Sequence, residues 1–169
     1  MKKNNLQKGF TLIELLVVVA IIGVLASVVL ASLNTARSKG SDAAIKENLA
    51  NVRAQAEIFY DANTSAYVVA ADSATDVCSS LATVAAGPGG QHGIYPGVLA
   101  AIQGSQGTGG TVVVAEATAE ISTTAVCYSA AGTWVAQAPL KSTGYWCVDS
   151  TGASVPEGSP LAASSTKCI

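Results

Sequence analysis

Basic residues are scarce in this 169-residue chain, and between Arg53 and Lys141 there is none. The same interval carries Glu57, Asp61, Asp72, Asp76, Glu116 and Glu120. A surface of that sign repels phosphate backbones, so direct nucleic-acid binding is not expected. Histidine is nearly absent too: His92 stands in a glycine-rich stretch with no nucleophile or ligand beside it. No Ser/His/Asp, Cys/His or paired-carboxylate arrangement sits in a believable context, which argues against an enzyme. The cysteines show neither C-x-x-C nor a Cys/His spacing suited to zinc, so no metal and no cofactor is expected. The glycines of 87–110 lack a following Lys-Ser/Thr, which excludes a phosphate cradle. The turn Asp149-Ser150-Thr151-Gly152 holds too few acids for calcium.

What the chain does have is a long apolar run. Residues 10–33 read F-T-L-I-E-L-L-V-V-V-A-I-I-G-V-L-A-S-V-V-L-A-S-L, with Glu14 as their one charge. As a helix, this run is about 36 Å long, enough to cross a hydrocarbon layer of ~30 Å. A secretory signal has a shorter apolar core, and a helix apolar on every side is not an amphipathic surface helix. Glu14 is the anomaly. A carboxylate inside such a run costs up to about 3 kcal/mol on insertion scales. No Lys or Arg lies between Lys8 and Arg37 to offset it. A cut between Gly9 and Phe10 would supply a positive α-amine, which a neighbouring chain displaced by about a turn could bring to the carboxylate.

The sequence K-G-F-T-L-I-E before an aliphatic run, together spanning 8–33, resembles the prepilin-type cleavage and methylation motif of type IV pilins and pseudopilins. The resemblance implies that Gly9 precedes the peptidase cut. It implies that Phe10 becomes the N-methylated first mature residue, and that Glu14 recruits the next subunit. Lys2, Lys3 and Lys8 would form a basic cytoplasmic leader. Many family members carry a helix-kinking proline where this chain has Ala31, so no bend is implied there. Gly23, Ser27 and Ala31 lie four apart on one face, a small-xxx-small spacing that lets helices approach closely. The expected organisation is a cleaved leader at 1–9, a transmembrane or filament-core half-helix at 10–33, an amphipathic half at 34–62, and an extracytoplasmic head at 63–169. Losing the leader removes three of the nine basic residues and leaves six against eleven acids, a net charge of −5.

Three lysines ahead of the run, against Arg37 and Lys39 just after it, favour a cytoplasmic N-terminus. Cys78, Cys127, Cys147 and Cys168 then fall on the outer side, where disulfides persist. Beyond Asn34 the chain stays helical: Ile45, Leu49, Val52, Ala56 and Phe59 form one apolar stripe, with Lys46, Glu47, Asn48, Arg53 and Glu57 off it. Gly40 is a candidate interruption, and 61–64 the expected end. In the head, 76–86 reads as a short helix and 87–110 as loop, with at most a short element at 98–102. Strand patterns follow at 111–115, 124–129, 133–138 and 145–149, separated by hairpin turns. They imply an antiparallel meander with one face on the helix stripe and the other in water. The fold class is therefore α+β: a long N-terminal helix packed on a small antiparallel sheet.

Four cysteines allow three pairings. Cys127 and Cys147 would lie two strands apart, and two spacings of about 4.8 Å exceed the ~7 Å reach of a disulfide. Of the remaining two pairings, Cys78–Cys127 with Cys147–Cys168 is preferred, because the second bridge staples the Ser/Gly/Pro-rich tail at 150–167 to the last strand. The function expected is a filament subunit, a helical homopolymer assembled from the inner membrane. The resemblance implies a prepilin peptidase/N-methyltransferase, a membrane platform and an ATPase as partners. A pseudopilin of a secretion or DNA-uptake machine is the nearest alternative, and a membrane-tethered adhesive head the next.

Overall fold

The computed structural model describes residues 9–63, 65–68, 76–79, 93–114, 124–162 and 165–169. Lys2, Lys3 and Lys8 of the expected leader, His92 and the stretch beyond Ser79 in the expected 76–86 helix lie outside them. By compactness the chain divides into 1–37 and 38–169.

Helix α1 (Leu12–Ala62) is continuous over 51 residues and passes through Gly40 without a break. Its first part is apolar on all sides. Between Leu12 and Leu33 every side chain is exposed, which is the pattern of a helix whose solvent is not water. Within the second unit the helix changes character. Asp42, Ile45, Leu49, Val52, Ala56 and Phe59 are buried at three- and four-residue spacing, and the positions between them are polar or small except for exposed Ile58.

That stripe packs on a five-stranded sheet in the order β1 (Thr111–Val113), β2 (Thr124–Ala130), β3 (Thr133–Pro139), β4 (Tyr145–Asp149) and β5 (Ser154–Glu157). Strands β2 to β5 are antiparallel neighbours, but β1 pairs with β2 in parallel. The expected meander is therefore correct for the central strands and not for β1. Parallel neighbours both start at the same end of a sheet, so a tight hairpin cannot join them. Period-two alternation sorts the sheet side chains. Ala125, Cys127, Trp134, Ala136, Ala138 and Val148 join the helix stripe in one core.

The opposite sheet face is not simply wet. Val126, Tyr128, Val135 and Cys147 are buried there with Leu161, and Cys168 packs against them. Gln137 organises this cover. Its Nε2 donates to Glu157 Oε2 at 2.7 Å and to the Ser159 carbonyl at 3.2 Å, while its Oε1 accepts from the Leu161 N–H at 2.9 Å. A buried amide with three partners holds the tail onto β3, and the tail contributes β5 besides.

Much of the stretch that reads as loop is a helix, α2 (Tyr95–Gln106). Pro96 stands in its first turn, where a missing N–H is harmless. Its glycines serve packing. A Cβ on Gly97 would collide with the Val52 side chain of α1, and one on Gly104 would touch Ile45 Cγ1 at 3.6 Å. Glycines seven residues apart on one face, with buried Ala101 between them, let α2 lie close against α1.

Two disulfides are present, Cys78–Cys127 and Cys147–Cys168, with Cα separations of 5.6 and 5.8 Å. Strand β3 lies between β2 and β4, so Cys127 and Cys147 are not adjacent in the sheet.

Candidate functional site: the start of the apolar helix

Phe10 is 87% exposed, and the residues after it begin α1. Thr11 sits just before Leu12, and Glu14 is the third residue of the helix. Thr11 Oγ1 accepts from the Glu14 N–H at 3.3 Å, and Glu14 Oε2 accepts from the Thr11 N–H at 2.9 Å. The Thr11 hydroxyl also donates to Oε2 at 2.7 Å. This is a capping box, in which a threonine and a glutamate three residues apart satisfy each other's backbone donors. Negative charge here also complements the positive end of the helix dipole.

The signal for this cap is the T-x-x-E spacing in the sequence itself, which a view of Glu14 as an uncompensated acid overlooks. The carboxylate has a role inside its own chain. Both of its bonds fall on Oε2, however, and Oε1 makes none among the described residues. A carboxylate offers about four lone-pair sites, so a further donor can be taken without dismantling the cap. The Thr11 N–H remains an amide whether or not the chain is cut before Phe10, so the cap does not depend on such a cut.

Farther along, Gly23, Ser27 and Ala31 are all exposed. The Ser27 hydroxyl donates to the Val24 carbonyl at 2.8 Å, so its polar group is satisfied within the helix. A Cβ on Gly23 would meet nothing within 4 Å, so no contact among the described residues requires glycine there.

The head offers less chemistry. An open cleft of about 550 Å³ lies between Arg53 and Glu57 of α1 and the turn at Ser150–Gly152, with Trp134 behind it. Glu57 is engaged there by the Tyr67 hydroxyl at 3.0 Å. Burial first, and then this bond and the Glu57 charge, push the Tyr67 phenol up to about 12. Cys147, Glu157 and Cys168 come together at the tail, but both sulfurs are spent in the disulfide. The Glu157 oxygens accept from Gln137 Nε2 and, at 2.8 Å, from the Ile169 N–H.

A head of helix and mostly antiparallel sheet, following an exposed apolar helix capped by Thr11 and Glu14, defines an α+β chain with one helix long and apolar enough to cross a membrane. The family model for the prokaryotic N-terminal methylation motif matches residues 4–30. Over 42 residues the chain is 57% identical to the type IV major pilin protein PilE1 of Neisseria gonorrhoeae, covering 24% of this chain and 26% of that protein. It is likewise 57% identical over 42 residues to a fimbrial protein of Neisseria meningitidis serogroup B, covering 24% of this chain and 25% of the relative. The chain thus spans about a quarter of the length of the curated relatives it matches. No solved structure matches the chain. By this N-terminal segment, the chain carries the prokaryotic N-terminal methylation motif and is similar there to type IV major pilins.

Proposed function

We propose that the chain is a structural, non-enzymatic subunit of a type IV pilus-like filament, built from the inner membrane. The observation that supports this best is K-G-F-T-L-I-E standing directly ahead of a helix whose apolar half is exposed throughout. The precursor spans the membrane with its leader in the cytoplasm and its head outside. Cleavage between Gly9 and Phe10 frees an α-amine, which is then methylated. The amine of one chain approaches Glu14 of another, and Oε1 is the oxygen left for it. Pairing in a low-dielectric setting selects register, because a subunit docked out of register leaves a charge unpaired. Apolar faces then exchange lipid for neighbouring helices, and Gly23, Ser27 and Ala31 admit close approach.

Processing and extrusion fall to a prepilin peptidase/N-methyltransferase, a membrane platform and an ATPase. The test is to express the chain with that machinery, shear the cell surface and look for fibres by negative stain with antibody to the head. Fibres are expected. A chain that stays in the membrane fraction as a tethered head, with the machinery present and active, contradicts the reading.

A further inference from the structure

The open cleft of about 550 Å³ on the head has no part in the assembly proposed above. A cleft of that volume suits a small molecule. One wall is α1, which presents Ala50, Arg53, Ala54 and Glu57, and the other is the turn at 150–152 between β4 and β5. Arg53 and Glu57 stand about 6 Å apart along the helix axis. They carry opposite charges but do not pair: among the described residues the Arg53 guanidinium makes neither ion pair nor hydrogen bond. A base four residues ahead of an acid is the weaker order for such a pair on a helix. The guanidinium lies against the turn instead, where a Cβ on Gly152 would stand 3.2 Å from Nη2. Gly152 has a φ of 97°, a conformation that favours glycine, so the turn itself keeps that space open.

Glu57 is half engaged. Its Oε1 accepts from the Tyr67 hydroxyl at 3.0 Å, while Oε2 has no partner among the described residues. Across the cleft, the Ser150 hydroxyl accepts from the Trp134 backbone N–H at 3.3 Å, and among the described residues its own hydrogen is uncommitted. Behind both walls, the indole N–H of buried Trp134, on the side of the Tyr67 phenol, makes no hydrogen bond. A buried donor without an acceptor is uncommon in a folded protein. Asp149 also lines the cleft, but its carboxylate is already filled by Thr151, Ala153 and Cys168.

We propose that this cleft binds a small zwitterion of the α-amino-acid class, its carboxylate on Arg53 and its ammonium group on Glu57. The site is additional to the filament reading and does not depend on it. Charge selects the class of ligand. A simple anion would meet Glu57 and a chain with more acids than bases, and a simple cation would meet Arg53. A zwitterion is neutral overall and satisfies both groups. A guanidinium matches a carboxylate with two parallel hydrogen bonds, and the Ser150 hydroxyl is a further donor for the same oxygens. Ala50 and Ala54 give an apolar floor with room above it for an aliphatic side chain.

The experiment titrates the detergent-solubilised full chain with L-leucine in a calorimeter, alongside isocaproate, which lacks the ammonium group, and isoamylamine, which lacks the carboxylate. L-Leucine is expected to bind saturably with a Kd of about 1 mM or tighter. Both analogues are expected to bind at least about tenfold more weakly, since each leaves one charged group of the cleft without its partner. Arg53→Gln should weaken L-leucine at least about tenfold, and Glu57→Gln, which keeps an oxygen for Tyr67, by a similar factor. Both variants should retain the wild-type denaturant midpoint, so that lost binding reports the site and not the fold. No saturable heat with L-leucine, equal binding of the three compounds, or wild-type binding by either variant would each overturn the inference. Binding is read on the unassembled chain, so it can fail while filaments form and succeed where they do not.

Discussion

The two halves of α1 are built from much the same aliphatic residues and put them to opposite uses. Between Leu12 and Leu33 nothing is buried, and between Asp42 and Phe59 roughly every third or fourth residue is. The difference is one of pattern. The second half surrounds its apolar positions with Lys46, Glu47, Asn48 and Arg53, so it has a wet side and a dry side and folds against a sheet. The first half has no wet side, and nothing among the described residues covers it. In the reading proposed above, its partners lie outside its own chain, in lipid or in other copies.

The sharpest way to break this comparison is at Glu14. Glu14→Ala should leave membrane insertion and head folding unchanged while lowering surface filaments more than tenfold, read by shearing and head immunoblot. Filaments at wild-type level from that variant would remove the carboxylate from assembly and reduce it to a cap.

Next in size come cuts into the two apolar surfaces. Phe59→Ala should destabilise the head by about 3–5 kcal/mol, as expected for emptying a fully buried aromatic site. Val24→Ala in the first half should change head stability by less than about 0.5 kcal/mol. Denaturant midpoints of the detergent-solubilised full chain, followed by tryptophan fluorescence, compare the two. Similar effects at both positions would mean that the halves are not independent.

The tail sharpens the head side further. The Cys147–Cys168 bridge spans 21 residues, and Cys147→Ser with Cys168→Ser should cost about 3 kcal/mol on the chain-entropy model. The loss should appear in the same denaturant midpoint. Gly97→Ala should cost about 1–3 kcal/mol, since its methyl group would press on Val52 where α2 meets α1.

Smallest and most specific is the acid limb. Burial alone would raise the Asp149 carboxyl. It is overcome by hydrogen bonds from the Thr151 hydroxyl and the Cys168, Ala153 and Thr151 N–H groups, which hold it below the usual carboxylate range. A lowered folded value contributes stability present above the unfolded pKa of about 3.9, and that stability is lost as pH falls through the folded value. The head should weaken below about pH 4, and Asp149→Asn should flatten that decline. An unchanged acid profile in Asp149→Asn would assign the decline to other carboxylates.

The helix, its change of character and the central strands are legible in the sequence because periodicity alone separates them. The spacing of Ile45, Leu49, Val52, Ala56 and Phe59 is enough to place them on one face. Other elements are hidden for physical reasons. Helix α2 reads as loop because Gly97 and Gly104 look like breakers, when their lack of a side chain is what admits the neighbouring helix. Strand β5 escapes the strand pattern because Pro156 sits on it, and a proline is tolerated on the edge of a sheet where no ladder donor is needed. The parallel pairing of β1 depends on a connection and not on the strand itself. At the helix start, the prominence of Glu14 as a lone charge obscures Thr11, the residue that completes its cap.

All of the assembly account depends on a free amine at Phe10 in the assembled state. Intact mass and terminal sequencing of the chain recovered from sheared filaments measure it directly. The expected product lacks residues 1–9 and begins at a Phe10 carrying one added methyl group. A chain that still begins at Met1 within its native fibre would contradict the pairing of Glu14 with a neighbour's amine.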